Sequence, residues 1–190
     1  MFSSSKPCGQ PPPKRAGQMA AHRPHPPAIT ADRPPGALLV TLLTFNGSLG
    51  VLDSFEFEPE PGIVIHAKGD VRNGFQLEIK RNHNLLEDDP RPSKQIPLQW
   101  VGESWINEPA MLNHGIVKID SAPCCPLEDS LFKIPAPEKT LRAAHNMDGS
   151  APGKITQRDC QTWIVESTDQ AVRDGAFTES VAAYLYAIKQ

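Results

Sequence analysis

Cys160 stands in the run Thr156-Gln157-Arg158-Asp159-Cys160-Gln161-Thr162-Trp163, at the point where a helical pattern begins. Thr156 and Asp159 have the three-residue spacing of a capping box, which would place Cys160 in the first helical turn. Unpaired backbone N–H groups and the helix dipole favour negative charge there, so a thiolate forms more easily. A cysteine so placed is the raw material of a thiol nucleophile. The same residue also reads as a small buried hydrophobe, because helical spacing puts it on one apolar face with Trp163, Ile164, Ser167, Ala171 and Val172. A nucleophile needs a base, and the chain offers six histidines. His66 ends the apolar run Gly62-Ile63-Val64-Ile65 and reads either as a satisfied strand-end residue or as a site residue. His83, His114 and His145 lie in polar surroundings, and His114 could act as base only if folding brought it to Cys160.

The remaining cysteines suggest less chemistry. Cys8, Cys124, Cys125 and Cys160 match no zinc spacing. Cys124-Cys125 could hold a soft metal together with His114, but two small loop or core residues is the plainer reading. No metal or other cofactor is expected. The first residues lack the apolar run of a signal peptide, so a cytoplasmic location and reduced thiols are expected.

The chain of 190 residues carries a net charge of −3. Residues 1–36 hold five Lys/Arg and one Asp, a charge of +4, which leaves −7 for residues 37–190. An acidic body without a basic cluster excludes nucleic acid as partner. No stretch approaches 18 apolar residues, so no membrane span is expected. Nine of the twenty prolines fall in residues 1–36. Such density forbids helix and predicts a disordered tail, with Met19 as a second candidate start. A single domain is expected over 37–190.

Strands must position these residues. Residues 37–45 are rich in Leu, Val and Thr, and Asn46-Gly47 signals a hairpin into a strand at 48–52. An acidic loop is expected over 56–61, then a third strand at 62–67. The fourth, 75–80, alternates strictly, with Phe75, Leu77 and Ile79 inward. Glu78, Lys80 and Arg81 read as a solvated strand face. Pro97 puts a strand at 95–101 near a sheet edge, and 115–119 is a candidate sixth strand. A short helix is expected near 127–134. A long one over 159–174 should stop at Gly175, and Thr178 should open a last helix with Val181, Ala182, Tyr184, Leu185 and Ile188 as its buried stripe. Strands first and helices last predict an α+β fold, a mainly antiparallel sheet packed against C-terminal helices.

Two separated motifs carry a resemblance. Ile65-His66-Ala67-Lys68-Gly69-Asp70 is followed by Gly74-Phe75-Gln76-Leu77-Glu78-Ile79-Lys80-Arg81-Asn82, and Asp159-Cys160-Gln161-Thr162-Trp163 comes later. In this order they resemble an uncharacterised family of fungal proteins over about residues 38–190. More distantly the pattern is similar to permuted papain-like proteins of the lecithin retinol acyltransferase type, which place a His on an early strand, a polar residue or His on the next, and the Cys at a later helix start. That similarity implies Cys160 as nucleophile and His66 as orienting residue or base. The first His would fall near Ser48, and no His lies between His25 and His66. A serine hydroxyl cannot take a proton near neutral pH. The expected function is therefore a degenerate thiol-hydrolase-like domain, a pseudoenzyme that binds a partner protein or a small acyl-like ligand. An active cysteine hydrolase or acyltransferase is the second reading, and a purely structural interaction protein the third.

Overall fold

Among the described residues, six antiparallel strands form one sheet in a computed structural model of the chain, in the order β5-β1-β2-β3-β4-β6. They are β1 (Leu38–Gly47), β2 (Gly50–Phe57), β3 (Gly62–Asp70), β4 (Gly74–His83), β5 (Lys94–Val101) and β6 (Lys118–Asp120). The helices are α1 (Glu108–Met111), α2 (Pro126–Phe132), α3 (Cys160–Asp174) and α4 (Glu179–Ile188). The structure describes residues 24–30, 32–47, 50–57, 61–139 and 158–189. Ser48, His145, Thr156 and residues 1–23 with Cys8 lie outside them.

The expected α+β class is the observed one. The β1–β2 hairpin closes at Gly47 opposite Gly50, later than the Asn46-Gly47 turn expected from sequence. β2 runs on to Phe57, so Glu56 is a strand residue, only 2 % exposed, and not part of an acidic loop. The period of two explains this: Phe55 faces the core, and Glu56 faces the opposite side of the sheet. β6 is shorter than the run expected at 115–119, because residues 113–115 form a 3-10 turn in which His114 has φ 53°. Thr30 accepts a hydrogen bond from the Trp100 indole, and Arg33 pairs with Glu108. The residues just before β1 are thus tied to the domain.

The two sheet faces differ. Phe55, Ile65 and Ile79 lie side by side across β2, β3 and β4 and join one core with Leu127, Leu131, Cys160, Trp163 and Leu185. Trp163 is 6.4 Å from Phe55 by ring centroid, and Phe177, just past α3, is 5.8 Å from it. The helices therefore cover this face. The other face holds a small cluster of Leu43, Val64 and Leu85, the last from a 3-10 turn at Leu85–Glu87. α3 ends where Gly175 adopts φ 90°, a left-handed geometry that costs glycine no Cβ clash. Thr178 stands at the N-cap of α4, though its hydroxyl bonds Gln99 and not an α4 amide.

Candidate functional site

Cys160 is the first residue of α3, as the sequence suggests, but the cap is shifted. Asp159, expected as the closing acid of a capping box three residues after Thr156, is itself the N-cap. Its Oδ1 accepts from the Thr162 amide and hydroxyl, both at 2.9 Å. A carboxylate thus already occupies the N-terminal amide that an anion at this helix start would use. Cys160 is 3 % exposed and packs in the core with Trp163. The Trp163 indole donates to the Ile134 carbonyl at 3.0 Å, which anchors this turn of α3 against the segment after α2.

His66 sits on β3 next to Ile65 in sequence and therefore on the opposite face of the sheet. It stands across from Glu78 on β4, and its Nε2 lies 3.1 Å from Glu78 Oε1. Lys68 Nζ donates to the other Glu78 oxygen at 3.1 Å. Burial lowers the His66 pKa and outweighs the opposing pull of Glu78. Burial also resists ionisation of Glu78, but the bonds from His66 and Lys68 hold its pKa below the ordinary value. At neutral pH the pair is then a neutral imidazole donating its Nε2 proton to a carboxylate. β3 has β4 and β6 on one side and β2, β1 and β5 on the other. The sheet thus stands between the His66 side chain and the helix layer that holds Cys160. The structure does not bring the two together.

On the His66 face a second set lies farther along β4. His83 Nε2 is 2.9 Å from Asp88 Oδ1, which Lys80 Nζ also approaches at 3.4 Å. Among the described residues no group of three or more His, Cys, Asp or Glu is arranged to hold a metal ion. Cys124 Sγ instead lies 3.2 Å from Arg81 Nη1. Burial, with the Glu128 charge, pushes the Cys124 thiol up to about 12, and burial pushes Cys125 up to about 11. Such thiols stay protonated near neutral pH.

Sequence reasoning missed Arg81. It lies at the same parity as Phe75, Leu77 and Ile79 and is buried, not part of a solvated face. Its two terminal nitrogens each lie 2.9 Å from a Glu128 oxygen, and its Nε donates to Asp120 at 3.1 Å. The Met111 and Ala122 carbonyls accept its remaining protons. One guanidinium thus joins β4 to α1, β6 and α2.

A model of the family of unknown function DUF6540 matches residues 55–178 of the chain, more than half of its length. The chain belongs to this family. The matched stretch spans the positions of His66, Glu78, Arg81, Glu128 and Cys160. It begins inside β2 and stops at the residue that caps α4. No curated protein matches the chain, and no solved structure matches it either. Among the described residues no helix is long and apolar enough to cross a membrane.

Proposed function

We propose that this DUF6540 domain is a degenerate, non-catalytic relative of thiol hydrolases of the permuted papain-like kind. It acts by binding a partner protein or a small acyl-like ligand in a fungal cytoplasm. In this reading the thiol position persists as Cys160, at the start of a helix packed on an antiparallel sheet. Its role has passed from chemistry to packing.

One observation carries the non-catalytic part of this reading. The His66 imidazole donates to Glu78 on one face of the sheet, and Cys160 is buried among Trp163 and its neighbours on the other. A thiol and its base must come within hydrogen-bond reach for general-base activation, and a sheet of packed strands cannot part for that. The Asp159 cap works in the same direction by occupying the helix-start amide with a carboxylate.

Native-state alkylation with iodoacetamide, read by peptide mass spectrometry, tests the proposal. Cys160 should be modified far more slowly than free cysteine near neutral pH, and His66→Ala should leave that rate unchanged. Rapid modification of Cys160 that slows in His66→Ala would overturn the reading and restore an active cysteine hydrolase or acyltransferase.

A further inference from the structure

The sheet has two edges, and they are finished differently. β5 carries Pro97, which has no amide proton, where its register against β1 shifts. Its Trp100 indole also holds the segment before β1 by the Thr30 carbonyl. β6, at the other edge, has β4 on one side and no further strand among the described residues on the other. Ile116 and Val117, just before β6, and Ile119 within it are 66 %, 72 % and 64 % exposed. A lone exposed apolar side chain is ordinary, but three within four residues leading into and along an edge strand are what soluble sheets avoid unless the edge is used.

We propose that β6 is a self-association edge, where two copies of the chain pair β6 to β6, antiparallel, about a twofold axis at Ile119. The charges select both the occupant and the register. With Ile119 at the centre, Lys118 stands opposite the partner's Asp120 on both sides of the axis, and Ile119 packs on its own copy. Val117 then stands opposite the partner's Ser121. Centring on Lys118 sets two ammonium groups against each other, and centring on Asp120 sets two carboxylates together, each of them unfavourable in directly opposed strand positions. Placing the axis between residues sets Ile119 against a charge. The Asp120 carboxylate is already aimed by Arg81 Nε at 3.1 Å and Lys118 Nζ at 2.9 Å, and Lys118 itself remains half exposed. Pairing would join these groups into one ring of alternating charge.

The edge is short compared with the roughly 800 Å² per partner of a standard stable interface, so association should depend on concentration and weaken with salt. The proposal stands whether or not Cys160 has an activity, because its test reads mass and cross-linking alone. Sedimentation of the full chain from micromolar to about millimolar concentration should show a monomer–dimer equilibrium. Ile119→Lys should weaken it at least about tenfold, since it sets two charges on the axis, while the melting temperature holds because the side chain is exposed. Under mild oxidation Ile119→Cys should give a dimer linked through position 119. Val117→Cys should not cross-link to itself, because its copies would lie about 13 Å apart along paired strands. A chain that stays monomeric throughout, a dimer unaffected by Ile119→Lys, or equal cross-linking at 117 and 119 would overturn the proposal.

Discussion

Arg81 on β4 and Glu128 on α2 meet as a two-bond ion pair, 2.9 Å on each arm, with both side chains out of water. The ion pair raises the Arg81 pKa above its ordinary value despite the cost of burial, so the guanidinium is charged at every accessible pH. Removing one partner strands the other charge in the interior. Glu128→Ala should therefore cost about 3–5 kcal/mol in urea unfolding. The double change Arg81→Met with Glu128→Leu removes both charges and should recover most of that loss. Equal losses in the single and double variants would show that the pair is not the source of the effect.

The strands were legible because their signals are local. Alternation at Phe75, Leu77 and Ile79 reports the inward face of β4 without any tertiary knowledge. The same alternation also contained Arg81, two residues beyond Ile79, but a charged residue at an inward position reads as an exception until Glu128 is known to meet it. That meeting spans 47 positions of sequence. Glu56 reads as loop for a related reason: a Glu-Pro-rich stretch looks like loop, and only the buried neighbour Phe55 shows that the strand continues through it. The helix start at Cys160 was legible from its apolar stripe. The position of His66 was legible as strand, and alternation puts it on the face opposite Ile65, but the apolar run Ile63-Val64-Ile65 does not say which of the two faces meets the helices. Only the knowledge that α3 packs on the Ile65 face turns that parity into a separation from Cys160, and this depends on chain connectivity that periodicity does not record.

Gly69 should tolerate no side chain. It has φ 149°, and a Cβ built there would lie 2.2 Å from the Gly74 carbonyl oxygen across the β3–β4 hairpin. The obstacle is backbone, so relief requires the hairpin to open. Gly69→Ala should cost about 3 kcal/mol or more, combining backbone strain with the clash. Gly115 is the control. It has φ 82° with nothing within 4 Å of a built Cβ, so Gly115→Ala should show only the left-handed penalty of about 1–2 kcal/mol. Chemical denaturation of both variants reads the difference directly.

His66 predicts a pH dependence with a definite sign. Its folded pKa is lowered from 6.5 by burial, and Lys80 and Lys68 add to that effect against the pull of Glu78. Below 6.5 the unfolded chain takes up the proton more readily than the folded one. The contribution of His66 is therefore complete above pH 6.5 and is lost as pH falls through that value towards the folded pKa. Glu78 also has a lowered pKa, and its contribution is lost only as pH falls below the ordinary 4.5. The interval between those two values isolates the histidine. Thermal melts should show stability falling from pH 7 to pH 5, and His66→Gln should flatten that part of the profile. A His66→Gln profile parallel to wild type would contradict the assignment.

Cys160 should behave as a core residue in stability measurements. Its thiol is packed with Trp163 and the strands below, so Cys160→Ala removes a buried atom and leaves a small void. The expected loss is about 1 kcal/mol, in the range of a small core truncation. Asp159→Ala should cost a similar amount, about 1 kcal/mol, by leaving the Thr162 amide without its cap. Residues kept for chemistry often behave in the opposite way, because a poised site stores strain and replacing it stabilises the fold. Guanidinium unfolding of Cys160→Ala distinguishes the two. A loss near that expected for the missing atom supports packing as the reason Cys160 sits where it does, and an unchanged or raised midpoint would reopen the thiol as a functional group.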